Sequence, residues 1–87
     1  MKKGDRVLIE KGTSVHTDHP TWRGIELTAG RTYVVRLIEA YLEETVADGE
    51  VWKVYWRTGA YWKWAYLHNP EVISALEELA RVGRRKS

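Results

Sequence analysis

His16-Thr17-Asp18-His19 sets two imidazoles and a carboxylate within four residues, and His68 supplies a distant third ring nitrogen. Such groups ligate transition metals, which makes His16, Asp18 and His19 the candidates for a metal site. Their spacing lacks the helix-borne H-E-x-x-H pattern of hydrolytic zinc centres. His19-Pro20 beside Asp18 equally suits a turn in which the Asp side chain bonds the backbone. Glu43 and Glu44 are adjacent, so on a strand or a helix they point apart and do not share a proton or a metal. The chain has no cysteine, which removes disulfides, thiolate metal sites and thiol nucleophiles. It also has no Gly-rich phosphate loop and no nucleophile elbow. These features lead to the expectation of a protein that is not an enzyme and takes no cofactor.

Aromatic and cationic residues carry the stronger signal. The segment VYWRTGAYWKWAY, residues 54–66, holds three tryptophans and three tyrosines around Thr58-Gly59-Ala60. Residues opposite each other in an antiparallel pair share a face, so the loop length decides which rings meet. A three-residue loop pairs Arg57 with Tyr61 and gathers Trp52, Val54, Trp56, Trp62, Trp64 and Tyr66 on one face. Lys53, Tyr55, Arg57, Tyr61, Lys63 and Ala65 then form the other. A two-residue Thr58-Gly59 loop would mix lysine into both faces, and an unpaired buried lysine costs several kcal/mol. The expectation is therefore a tryptophan core face and an exposed stripe of Lys53, Tyr55, Arg57, Tyr61 and Lys63. Rings interleaved with cations can stack bases and neutralise phosphates. Trp22 and the terminal Arg84 and Arg85 are further candidate contacts.

Residues 5–10 (DRVLIE) read as a first strand. Residues 11–30 are dense in Gly, Thr, Ser, Asp and Pro, and read as one long ordered loop or a distorted hairpin pinned by Trp22. Residues 31–40 read as a strand with Tyr33, Val35 and Leu37 turned inward. Residues 41–45 extend it or form a helical turn, and Ala47-Asp48-Gly49 breaks the chain. After the hairpin, Asn69, Pro70 and Glu71 resemble a helix cap, first turn and dipole partner. Val72, Ile73, Leu76, Leu79 and Ala80 then form an apolar stripe closed by Gly83.

Eighty-seven residues suit one domain with a single core. No stretch has the ~20 apolar residues of a membrane span, nor an apolar run of a secretory signal, so a cytoplasmic location is expected and no membrane partner. Net charge is only +2, but Lys and Arg cluster at both ends while Glu39, Glu43, Glu44, Asp48 and Glu50 lie between. That distribution suits contact with an acidic partner or simple solvation of the ends. The lack of Gln, with one Asn and one Met, matches compositions of thermophile proteins, though chance or a GC-rich genome produces the same bias.

Gly4, Asp5 and Val7 at the first strand, the long second loop and the strands closing at YLHNPE resemble an SH3-like small barrel. Gly59, Tyr61 and Trp62 are also similar to a G-x-Y-W segment in small bacteriophage accessory proteins. The resemblance implies a mainly β fold: a barrel of about five strands over residues 1–69, with a long loop after the first strand. A C-terminal helix over 70–83 and a disordered basic tail over 84–87 follow. It implies binding rather than catalysis. The leading expectation is a binding module for nucleic acid or a nucleoprotein machine, with no small-molecule substrate. The alternative is a protein-interaction module, a phage-type accessory, a regulator of a host protein or a self-assembling unit, anchored by Trp22 and Tyr61.

Overall fold

Strand β1 (Arg6–Ile9) alternates in the way its sequence demands, with Val7 and Ile9 fully buried and Arg6 and Leu8 half-buried. This is the centre of a three-stranded antiparallel sheet in a computed structural model that describes residues 1–74. Among those residues the chain is mainly β, built from two antiparallel sheets. The first sheet has the order β4-β1-β8, where β4 is Tyr33–Arg36 and β8 is Val72–Ile73. The second has the order β3-β2-β7-β6-β5. Its strands are β2 (Ser14–Thr17), β3 (Leu27–Thr28), β5 (Glu39–Val46), β6 (Gly49–Thr58) and β7 (Tyr61–His68).

The sheets are joined where the strand expected over 31–40 bends. Tyr33, Val35 and Leu37 do turn towards the core, as their alternation requires. At Leu37 the chain changes partner: its N–H donates to the Asp5 carbonyl, and the next N–H, of Ile38, donates to the Tyr55 carbonyl, both at 2.8 Å. One bent segment therefore serves β1 on one side and β6 on the other. Val7, Ile9, Val35 and Leu37 meet Val15, Val54, Trp56, Ala65 and Leu67 in one core.

Residues 11–30 form the distorted hairpin. Val15 pairs with Leu27 and Ser14 with Thr28. The Ser14 hydroxyl bonds the Glu26 carboxylate, and the Gly12 and Ala29 amides bond back across the pair. Residues 41–45 extend β5 rather than coiling, and a register shift between Leu42 and Glu44 leaves Glu43 as the extra residue of a bulge on an exposed edge strand. Charge and a bulge at such an edge discourage pairing with another chain.

Two expectations are overturned. The barrel is not closed: among the described residues no pairing joins the edge strands of one sheet to those of the other. The helix expected from Pro70 also does not begin there. Val72 and Ile73 instead pair with Val7 and Arg6, giving β1 a partner on its second edge. Both are β-branched, and an unpaired edge beside the core would leave backbone groups without partners. Asn69 takes a left-handed backbone (φ +46°) and serves the neighbouring turn. The remainder of that helix, residues 75–83, and the tail with Arg84 and Arg85 lie outside the described residues.

Candidate nucleic-acid interface

The hairpin β6–β7 turns on Gly59-Ala60, two residues rather than three, with Thr58 directly opposite Tyr61. Gly59 has φ +61° and Ala60 has a negative φ, so glycine stands at the first central position, the signature of a type II′ turn. This register sets Arg57 opposite Trp62, Trp56 opposite Lys63, Tyr55 opposite Trp64, Val54 opposite Ala65 and Lys53 opposite Tyr66. Relative to the three-residue expectation every β7 side chain changes face. Trp56 (3% exposed), Val54, Ala65 and Leu67 are core. Trp62, Trp64 and Tyr66 are not: they join Lys53, Tyr55 and Arg57 on the outward face. Tyr61 and Lys63 leave that face for the opposite one.

The penalty for burying lysine does not apply here, because the inward side of the hairpin is open at Lys63. Lys63 shares the inward side with Trp56 and is only half-buried, because it lines a cleft between the sheets. A snorkelling ammonium there avoids the penalty of full burial.

Six rings and two cations converge on the outer face. Tyr55 lies 6.1 Å from Trp64, tilted by 36°, and meets Trp62 and Tyr41 edge-on at 6.2 and 6.0 Å. His16, across the β2–β7 pair, stacks on Trp64 at 5.8 Å and 17° and meets Tyr66 edge-on. The rings thus form a continuous surface across β2, β7, β6 and β5. Lys53 places its ammonium over both Tyr55 (5.2 Å) and Tyr66 (5.5 Å), and the Arg57 guanidinium covers Trp62 at 5.7 Å. Contact with the Tyr55 hydroxyl, and then with that of Tyr66, holds the Lys53 ammonium above its ordinary range, so it stays charged. At the β5 margin the Tyr41 hydroxyl donates to Glu39 at 2.9 Å. Tyr41 and Tyr66 are about half exposed, at 52% and 47%.

Trp22 and Tyr61 form a separate cluster. His19 bridges them, 4.3 Å from the Tyr61 ring and 6.5 Å from Trp22, and both flanking rings are exposed. Tyr55 does not reach it, lying on the other face of the sheet.

The metal candidates are dispersed. His16 faces the outer rings, Asp18 Oδ1 accepts the Trp62 N–H at 2.9 Å, and His19 Nδ1 accepts the Thr21 N–H at 3.1 Å. His68 Nε2 pairs with Asp48 at 3.2 Å. Among the described residues no three His, Asp or Glu side chains gather as a ligand set. Asp18 instead locks the end of β2 to the hairpin, aided by the Thr17 hydroxyl, which donates to the Trp62 carbonyl.

Sequence reasoning missed His16, Tyr41, Trp62, Trp64 and Tyr66 as members of the outer face. The signal that places the three β7 rings was Gly59 as the first residue of a two-residue turn. His16 and Tyr41 needed the neighbours of the hairpin, which no local pattern identifies. Among the described residues no helix is long and apolar enough to cross a membrane. In comparisons with protein-family models, curated proteins and solved structures, nothing matches the chain.

Proposed function

We propose that the chain is a non-enzymatic binding module that takes single-stranded nucleic acid on the outer face of β2, β7, β6 and β5. The observation that carries this reading is the ring surface of Tyr55, Trp62, Trp64, Tyr66 and His16 with Lys53 and Arg57 laid over it. Stacking on such rings is worth about 1–3 kcal/mol per base and tolerates any sequence, while the cations meet the phosphates. A flat sheet face suits splayed bases better than the grooves of a duplex. The strand switch at Leu37-Ile38 and the long hairpin after β1 fit an opened relative of the SH3-like small barrels, a group of binding folds.

The test is fluorescence titration with a labelled oligothymidylate at several salt concentrations. Trp64→Ala and Tyr55→Ala each weaken binding by about 1–3 kcal/mol. Lys53→Ala and Arg57→Ala each flatten the plot of log affinity against log salt by about 0.7. No binding at low salt, or equal binding by all four variants, would remove the proposal.

The exposed Trp22–His19–Tyr61 cluster supports a second reading, docking of a protein partner. A partner captured after nuclease treatment and lost with Trp22→Ala would favour it. Capture that disappears with nuclease would favour the sheet face.

A further inference from the structure

The open seam between the two sheets holds a cleft of about 820 Å³, within the size range of small-ligand sites. Its chemistry is one-sided. Arg31, Arg36, Arg57 and Lys63 all line it, Tyr33 and Trp56 contribute aromatic wall, and no Asp or Glu is among its lining residues. Arg36 and Arg57 also line an adjoining hollow that Lys3 enters, again without a carboxylate. Among the described residues, none of these four cleft cations makes an ion pair.

Lys63 is the telling member. It stands on the inward side of the hairpin opposite Trp56, where a sheet ordinarily places an apolar residue. A half-buried cation on that side, in a cleft that Arg31 and Arg36 also line, raises the local positive potential and has no protein carboxylate to offset it. Such a concentration of charge, in a concave space with low-dielectric walls, focuses its field on an anion. Guanidinium pairs match the oxygen geometry of phosphate. Arg31 lies over the Tyr33 ring at 5.4 Å, which sets its planar cation on the aromatic wall of the cleft.

We propose that this cleft is a second binding site, separate from the outer ring surface, for a phosphoryl group. Lys63 and Arg36 are its principal ligands. Because neighbouring residues on a strand point to opposite faces, Lys63 serves the cleft and Trp64 serves the ring surface. The two sites are therefore separable by substitution.

The experiment titrates inorganic pyrophosphate into the isotope-labelled full chain at constant ionic strength, followed by amide and indole NMR signals. The expected result is saturable movement of the Trp56 indole and of the Thr28 and Thr58 amides, with the Trp64 and Tyr66 signals still. Arg36→Gln with Lys63→Gln should weaken the apparent affinity by roughly tenfold or more, through loss of two charge-assisted bonds. Trp64→Ala should leave pyrophosphate binding unchanged while weakening oligonucleotide binding to the sheet, so failure of one site is distinguishable from failure of the other. Lys63→Arg, which keeps the charge, should retain binding and guards against reading a folding defect as lost contact. Displacement of bound pyrophosphate by an oligothymidylate lacking terminal phosphates would identify a strand backbone as the natural source. Displacement only by a 5′-mononucleotide would identify a free phosphate ester. Linear, unsaturated shifts, shifts spread over the ring surface, or an undiminished response in the double glutamine variant would overturn the proposal.

Discussion

Tyr33 and Tyr41 show how single side chains record their surroundings. Burial pushes the Tyr33 hydroxyl above its ordinary range, with the Arg31 charge pulling partly back. Tyr41 is raised first by its hydrogen bond to Glu39 and then by the charge of that carboxylate. A folded value above the unfolded one means that folding favours the neutral phenol. Its contribution to stability is complete below the unfolded value near 10 and is lost as pH rises through the folded value. Near-UV titration should therefore show a late component among the five tyrosines, reduced by Tyr41→Phe and again by Tyr33→Phe. A single ordinary step for all five would contradict the assignment. At this scale the sequence was most legible where burial follows simple alternation, as for Val7, Ile9, Tyr33, Val35 and Leu37. It was least legible for Trp62 and Trp64, whose faces depend on a turn rather than on their own chemistry.

Turns decide the elements, and both informative turns use residues that carry a second local meaning. Asn69-Pro70-Glu71 has the composition of a helix start, but Asn69 spends its side chain on the β5–β6 turn. Its Oδ1 accepts the Glu50 N–H and its Nδ2 donates to the Asp48 carbonyl, both at 2.9 Å. Gly49, at φ +145°, packs against that amide so closely that a Cβ would collide with it. Asn69→Ala should lower stability in urea by about 1–3 kcal/mol, from two lost hydrogen bonds and a strained backbone. Asn69→Gly keeps the left-handed backbone and isolates the hydrogen bonds, so it should cost less; equal stability of all three proteins would refute the role given to Asn69. The hairpin tip follows the same logic: Gly59→Ala, at φ +61°, should destabilise by about 1 kcal/mol. Local signals misled here because a cap residue and a turn residue have the same hydrogen-bonding repertoire. Which one is used depends on the free edge of β1, a contact more than sixty residues away in sequence.

At the scale of the whole molecule, an open seam raises the question of whether the two sheets behave as one unit. Their shared core argues that they do. Val7 and Ile9 from the first sheet are buried against the cluster that holds Val54, Trp56 and Ala65 from the second, and the bent segment at Leu37-Ile38 hydrogen-bonds to both. A chain of this size has no apolar surplus for two independent cores. Ile9→Ala removes a fully buried side chain from the smaller sheet and should cost about 2–5 kcal/mol. The informative readout is the comparison of probes: Trp fluorescence is dominated by the larger sheet and its hairpin, whereas far-UV circular dichroism reports strands in both. One cooperative unit requires the two midpoints to coincide in the native protein and to fall together in Ile9→Ala. If the substitution lowered only the circular dichroism midpoint, the sheets would melt separately and the cleft between them would be a gap between modules. Coincident midpoints would instead make the cleft a fixed feature of one folded body, with its cations held in place by the same core that supports the ring surface outside.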